Sequence, residues 1–95
     1  MSVQVAGKVV AFSLSGDLIT DITAEQLRNA PRGDFVRVCC GPHETFGLFT
    51  EPYQQPHATF LAVISSQGTL ELRVVGMSAQ ELLGVQLGEP VTVEW

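Results

Sequence analysis

Positive charge is what this chain has least of. Its 95 residues hold 5 Lys and Arg against 10 Asp and Glu, for a net charge of -5. Five scattered basic residues cannot form a stripe that neutralises phosphates, so nucleic acid is not expected as a partner. Attraction to anionic lipid is unexpected for the same reason. Long apolar runs are missing too. The longest, such as Phe60 to Ile64, have strand length, far short of the ~18–20 residues that span a bilayer. The start, Met1-Ser2-Val3-Gln4, has no charged segment followed by an apolar one, so a cytoplasmic location is expected. Cysteine is scarce. Cys39 and Cys40 are neighbours, and neighbours in a strand point to opposite faces. They are poor disulfide partners and read as small apolar fillers in a reducing compartment.

Charged residues of both signs make up only 16%, against ~25% in ordinary soluble domains. An apolar chain with few charges either fills a small core well or hides surface against a partner, and the second is favoured. The length fits one domain, residues 1–95.

What is present is a series of short apolar runs separated by turn residues. Val3 to Phe12 reads as a first strand, interrupted at Gly7. Ser13 to Asp17 turns the chain into Leu18 to Ile22. Thr23 and Gln26 form a capping-box pattern, which predicts a short helix to about Asn29, before Pro31. Phe35 to Cys40 follows, with Val36, Val38 and Cys40 on one face and Arg37 on the other. Gly41-Pro42 leads into Glu44 to Phe49, read as one strand. Thr50 to His57 is a loop. Ala58 to Ser65 is apolar on both faces, which predicts a central or interfacial strand. Ser66-Gln67-Gly68 is a tight turn into Thr69 to Val75, whose alternation points Leu70, Leu72 and Val74 inward and Glu71 and Arg73 outward. Ser78 and Glu81 form a second capping box for a short helix ending at Gly84. The last strand is Val91 to Trp95. These elements predict an all-β fold with one or two short helices: a small closed or partly open barrel of about seven strands, since closure removes exposed edges.

Candidate chemistry is thin. His43, His57, Cys39 and Cys40 are the soft metal ligands, but their spacing matches no Cys or His ligand pair, so no metal is expected. A Cys–His nucleophile would need Cys39 or Cys40 beside His43, and nothing identifiable would orient the imidazole; a buried thiol is the plainer reading. Asp17 and Asp21 share a strand face, but about 13 Å apart, too far to share a proton. No Gly-rich phosphate loop occurs.

The order of segments carries more. Gly16-Asp17-Leu18-Ile19-Thr20-Asp21-Ile22 resembles the D-x-F-G-N-x-x-T-N-I string of the S-adenosyl-L-methionine (SAM) hydroxide adenosyltransferases, relatives of the fluorinase and chlorinase. Ser65 to Leu72 is similar to their N-S-x-G-x-L-E-I. Gly76 to Gly84 is similar to their G-S-A-x-x-L-G, and Leu87 to Val93 to L-G-D-x-V-x-V. The likeness spans nearly the whole chain and concerns the C-terminal β-barrel domain of that family.

The resemblance implies two-domain enzymes. An N-terminal α/β domain holds the catalytic aspartate, and the barrel of a neighbouring subunit closes over the adenosine and methionine parts of the substrate within a trimer. This sequence holds no counterpart of that N-terminal half, so a catalytic residue is not expected in it. Carried over residue by residue, the Asp that holds the methionine amino group falls on Ser13, and the Phe lining adenosine on Ser15. Two Asn fall on Asp17 and Asp21. Ser66 matches a serine at the methionine end, Gln67 stands where halogenating members have Arg, and Ala79 matches an alanine whose backbone meets adenine. Gly16, Thr20 and Gly68 are kept. Asp17 and Asp21 add acid where a carboxylate ligand would sit, so binding the anionic end of methionine should cost free energy rather than gain it. The expected role is a non-catalytic interaction or assembly module, self-associating or joined to a separate N-terminal-type protein. The alternatives are a module for adenosine, SAM or a cationic ligand, or one half of a split SAM-cleaving enzyme. SAM or adenosine is the only cofactor the resemblance suggests.

Overall fold

The computed structural model describes residues 3–31 and 35–95. Met1 and Ser2, on which the reading of the chain start rests in part, lie outside the described residues. Among the described residues eight strands and one helix follow in order: β1 Gln4–Phe12, β2 Leu18–Thr23, β3 Arg37–Cys40, β4 His43–Phe46, β5 Leu48–Thr50, β6 Phe60–Ile64, β7 Thr69–Val74, α1 Ala79–Leu83 and β8 Pro90–Glu94. They form one sheet in the order β4-β3-β8-β1-β2-β7-β6-β5. Every pairing is antiparallel except β5 with β6.

The sheet is nearly closed into a barrel, as the alternation of short apolar strands predicts. Its two end strands, β4 and β5, are consecutive in sequence. Glu44 to Phe49 is therefore two strands, not one. The chain bends at Gly47, whose φ of +97° disfavours any side chain, and the Gly47 amide donates to the Val36 carbonyl at 2.8 Å. Across the seam the Thr45 hydroxyl donates to the Phe60 carbonyl at 2.9 Å.

The inner face follows the period of two. Leu18, Val38, Leu70, Leu72, Val91 and Val93 are fully buried. Each such side chain contributes about 1.5–3 kcal/mol by leaving water. β6 lies between β5 and β7 and is buried on both faces, which fits its apolar sequence. β1 runs through Gly7 without interruption and instead shifts register between Val9 and Ala11. The β2–β7 ladder also shifts, between Ile19 and Thr23. There the buried Thr20 hydroxyl donates to the Leu70 carbonyl at 2.7 Å and accepts from the Ile22 amide at 3.2 Å. A side chain thus supplies partners where the ladder is irregular.

One expected helix is absent. The Thr23–Gln26 box forms, with Thr23 N donating to Gln26 Oε1 at 2.9 Å and Gln26 N donating to Thr23 Oγ1 at 3.2 Å. The segment then tightens into successive turns, with Leu27 N bonded to Ala24 O and Ala30 N to Leu27 O. Leu27 drops into the core and Pro31 disfavours a helical Ala30, so no full helical turn develops. The second box does open a helix. Ser78 Oγ accepts from Glu81 N at 3.2 Å, and Gly84 closes α1 in the left-handed region.

Candidate functional site

Ser13 to Asp17 form the turn between β1 and β2. Its shape is fixed locally. The Asp17 amide donates to Ser13 Oγ at 3.0 Å, and Gly16 N to the Ser13 carbonyl at 3.0 Å. Gly16 has φ +86°, and the Ser78 hydroxyl occupies the place a Cβ would take. The Gly16 carbonyl accepts from Gln80 N at 2.9 Å, which ties the turn to α1.

Two adjoining clefts open beside this turn, of about 480 and 450 Å³. Ser15, Asp17 and Arg73 line both. The first adds Tyr53, Ser78 and residues 74–77. The second adds Ser13, Leu14, Glu51, Gln67, Ser66 and Glu71.

Arg73 is the centre. Its Nη2 lies 2.8 Å from Glu71 Oε1 and 3.4 Å from Glu51 Oε1; its Nε lies 3.7 Å from Asp17 Oδ2. Its Nη1 donates to the Tyr53 hydroxyl at 3.4 Å, and its Cζ stands 5.9 Å from the centre of that ring, within cation–π range. Burial alone would push the guanidinium pKa down. Hydrogen bonds to Tyr53, Glu71 and Glu51 outweigh it, and the net direction is upward. Arg73 is therefore a fixed cation.

Glu71 does not point to solvent as the alternation predicts. Its side chain is 8% exposed and that of Arg73 15%. The outer face of β7 is covered, because Glu51 and Tyr53 of the loop after β5 lie against it. Outside the barrel is here not outside the protein.

Of the residues singled out by resemblance, Ser13, Ser15, Asp17, Ser66 and Gln67 meet at the clefts. Asp21 does not: it is exposed beside β1 and accepts from the Lys8 amide at 2.9 Å. Gly16 is buried within the turn itself, and Ala79 is buried at the start of α1. Gly68 serves its own turn, donating to Ser65 O and accepting from Ala24 N. Thr20 is internal. Arg73, Glu71, Glu51 and Tyr53 were not anticipated. The one available signal was an arginine and a glutamate on a strand, together with a loop that carries another acid and the chain's single Tyr.

The soft ligands lie elsewhere. Cys40 is buried, and burial first, then Glu89, pushes its thiol up to about 11. Cys39 is also a free thiol. His43 Nε2 sits 3.1 Å from the Leu83 carbonyl, and the His57 ring lies against Gly76. Among the described residues no three His, Cys, Asp or Glu side chains group as metal ligands, and no helix is long and apolar enough to cross a membrane.

Two solved structures share this fold. One is an uncharacterized conserved protein from Thermotoga maritima, with TM-score 0.76 and 26% identity over 95% of this chain and 35% of that one. The other is a conserved hypothetical protein from Thermus thermophilus, with TM-score 0.71 and 30% identity over 93% of this chain and 34% of that one. The chain thus spans about a third of the length of each. No curated protein matches. A family model described as the SAM hydroxide adenosyltransferase C-terminal domain matches residues 7–92. Barrel, segment order and match agree: the chain belongs to the SAM hydroxide adenosyltransferase family and corresponds to its C-terminal domain.

Proposed function

We propose that this domain is a binding element that closes against another protein surface and performs no bond breaking itself. The observation that carries this reading is the commitment of the cleft's cation. Arg73 is engaged by Asp17, Glu51, Glu71 and Tyr53, so no cation among the described lining residues stands free to meet a carboxylate ligand. No cysteine or histidine lines either cleft among the described residues. The thiol of Cys40 is held neutral inside the barrel, on another strand. Each cleft is lined mainly by polar side chains and carries one exposed apolar residue, Met77 in the first and Leu14 in the second. The family resemblance supports the same role, since there the barrel closes over a substrate held by another domain.

Light scattering on the purified chain, with an assay for SAM cleavage, tests this. The expected result is a self-associated or partner-bound species without activity. A clean monomer at high concentration with no co-purifying partner, or SAM cleavage by this chain alone, would overturn it.

A second reading, a pocket for adenosine or SAM, is favoured by one observation. Ser15, Asp17, Ser66 and Gln67, which align with family ligand positions, converge on one cleft. An amide chemical-shift titration with adenosine and with SAM discriminates: shifts confined to residues 13–17 and 65–67 support the pocket, and flat titrations at millimolar ligand remove it.

A further inference from the structure

The loop between β5 and β6 is fixed at both ends and loosely held between them. At its start Thr50 pairs with Ile64. At its end the Ala58 amide donates to the Val75 carbonyl at 2.8 Å, the Thr59 amide donates to the Pro56 carbonyl at 3.2 Å, and the His57 ring lies against Gly76. From Pro52 to Gln55 no backbone–backbone hydrogen bond joins the loop to the barrel among the described residues. No described residue between Leu48 and Leu61 belongs to the buried core. Few buried apolar contacts and few backbone bonds mark the parts of a fold that open locally. Side chains hold the middle of the loop. Arg73 reaches Glu51 and Tyr53, each at 3.4 Å, and the Ser66 amide donates to Glu51 Oε1 at 3.3 Å.

The contacts of Arg73 fall into two sets. Glu71, on the same strand, accepts from Nη2 at 2.8 Å and from Nε at 3.2 Å. The contacts to the loop are longer, and Glu51 already has 41% of its side chain in water while Tyr53 is half-buried. A departing loop therefore leaves Arg73 with Glu71 and Asp17. Neither the guanidinium nor the buried carboxylate is stranded, and Glu51 only moves further into solvent. We propose that residues 51–55 form a lid latched by Arg73, which lifts as a unit and gates the clefts. Closed, it sets Tyr53 on one cleft and Glu51 on the other, with Arg73 lining both. Lifted, it makes the two clefts continuous across Arg73 and uncovers Glu71. The lid rests on the reading of the domain as a binding element in one respect, that the clefts are the surface used.

The test is NMR relaxation dispersion on the full chain, with labelled amides and ring-labelled tyrosine. Tyr53 is the single tyrosine, so the ring label reports the lid alone. The Tyr53 ring and the amides of Tyr53, Gln54 and Gln55 are expected to exchange together with a minor state, while the Leu72 amide on β7 does not. Glu51→Gln is expected to raise the minor population about threefold with an unchanged urea midpoint, and high salt to act in the same direction. Tyr53→Phe, read at the Gln54 and Gln55 amides, is expected to act likewise. Exchange of the Arg73 Nε–H with water should quicken by a similar factor in Glu51→Gln, because a lifted lid bares it. Absence of a minor state in the parent and both variants would overturn the lid, and so would an Arg73 Nε–H indifferent to Glu51→Gln. Exchange of Leu72 with the same population would overturn it in favour of whole-barrel opening. Unrestrained fast motion of residues 53–55 in the parent would overturn it too, since a loop that is never latched gates nothing. The broader reading fails on different observations, a lone monomer or SAM cleavage, so the two failures are distinguishable.

Discussion

Arg37 and Arg73 each face more than one carboxylate at comparable distances, and their surroundings differ. Arg37, on β3, reaches Glu44 at 2.8 Å and Glu94 at 3.4 Å across the outer face of the barrel, with about half of its side chain exposed. Its pKa is raised, chiefly by the hydrogen bond from its guanidinium to Glu44. Water and salt screen that cluster, and such surface pairs add little to stability. Arg73 meets its acids under a loop, beside a glutamate that has almost no water of its own. The chemistry is the same. Burial decides whether an ion pair is ornament or necessity, because a lost partner leaves an exposed acid solvated and a buried one stranded.

That contrast can be broken by substitution. Arg73→Leu strands Glu71 and is expected to cost about 3 kcal/mol in urea unfolding. Adding Glu71→Gln should then restore at least half of the loss, since a neutral amide tolerates the site better than an unpaired charge. An Arg73→Leu protein as stable as the parent would show that the cluster contributes nothing.

A smaller effect follows from a group that is buried without a charge. Burial, and then Glu89, pushes the Cys40 thiol up to about 11, above the ordinary value of 9.0 to which unfolding returns it. The unfolded chain thus loses its proton first, and stability that is complete below pH 9 declines as pH rises toward 11. Unfolding curves across that range should fall less steeply for Cys40→Ala; an equal slope would assign the decline to other groups. The smallest expected effect sharpens the comparison from the other side. Arg37→Ala should leave the urea midpoint unchanged within error, at low and at high salt. A loss comparable to that of Arg73→Leu would erase the distinction between the two clusters.

The sequence is a good guide where local chemistry and global fold agree. The alternation of Leu70, Leu72 and Val74 finds the core face of β7, and the Ser78 box finds α1. It misleads where a distant segment changes what a position means. Glu71 and Arg73 read as solvent-facing because the period of two distinguishes only inside from outside. Nothing local says that Glu51 and Tyr53 will roof that face. The Thr23 box forms as written, yet the core's claim on Leu27 and the limit set by Pro31 prevent a helix. The resemblance brought Ser13, Ser15, Asp17, Ser66 and Gln67 to one cleft, but Asp21, four residues beyond Asp17, turns to the Lys8 amide instead. Carrying a motif over identifies a neighbourhood, and hydrogen bonding then selects which members face the groove.

The bend at Gly47 has a consequence for self-association. A sheet ordinarily offers two independent rims to a stranger strand. Here both rims, β4 and β5, belong to one short stretch of chain bent at a single glycine, and the Thr45 hydroxyl fastens it to Phe60. The barrel is closed by a clasp rather than by a continuous ladder. Opening that corner would free both rims together. Resistance to edge-to-edge aggregation in this domain is therefore a property of one corner, and a residue with a side chain at position 47 would loosen both rims at once.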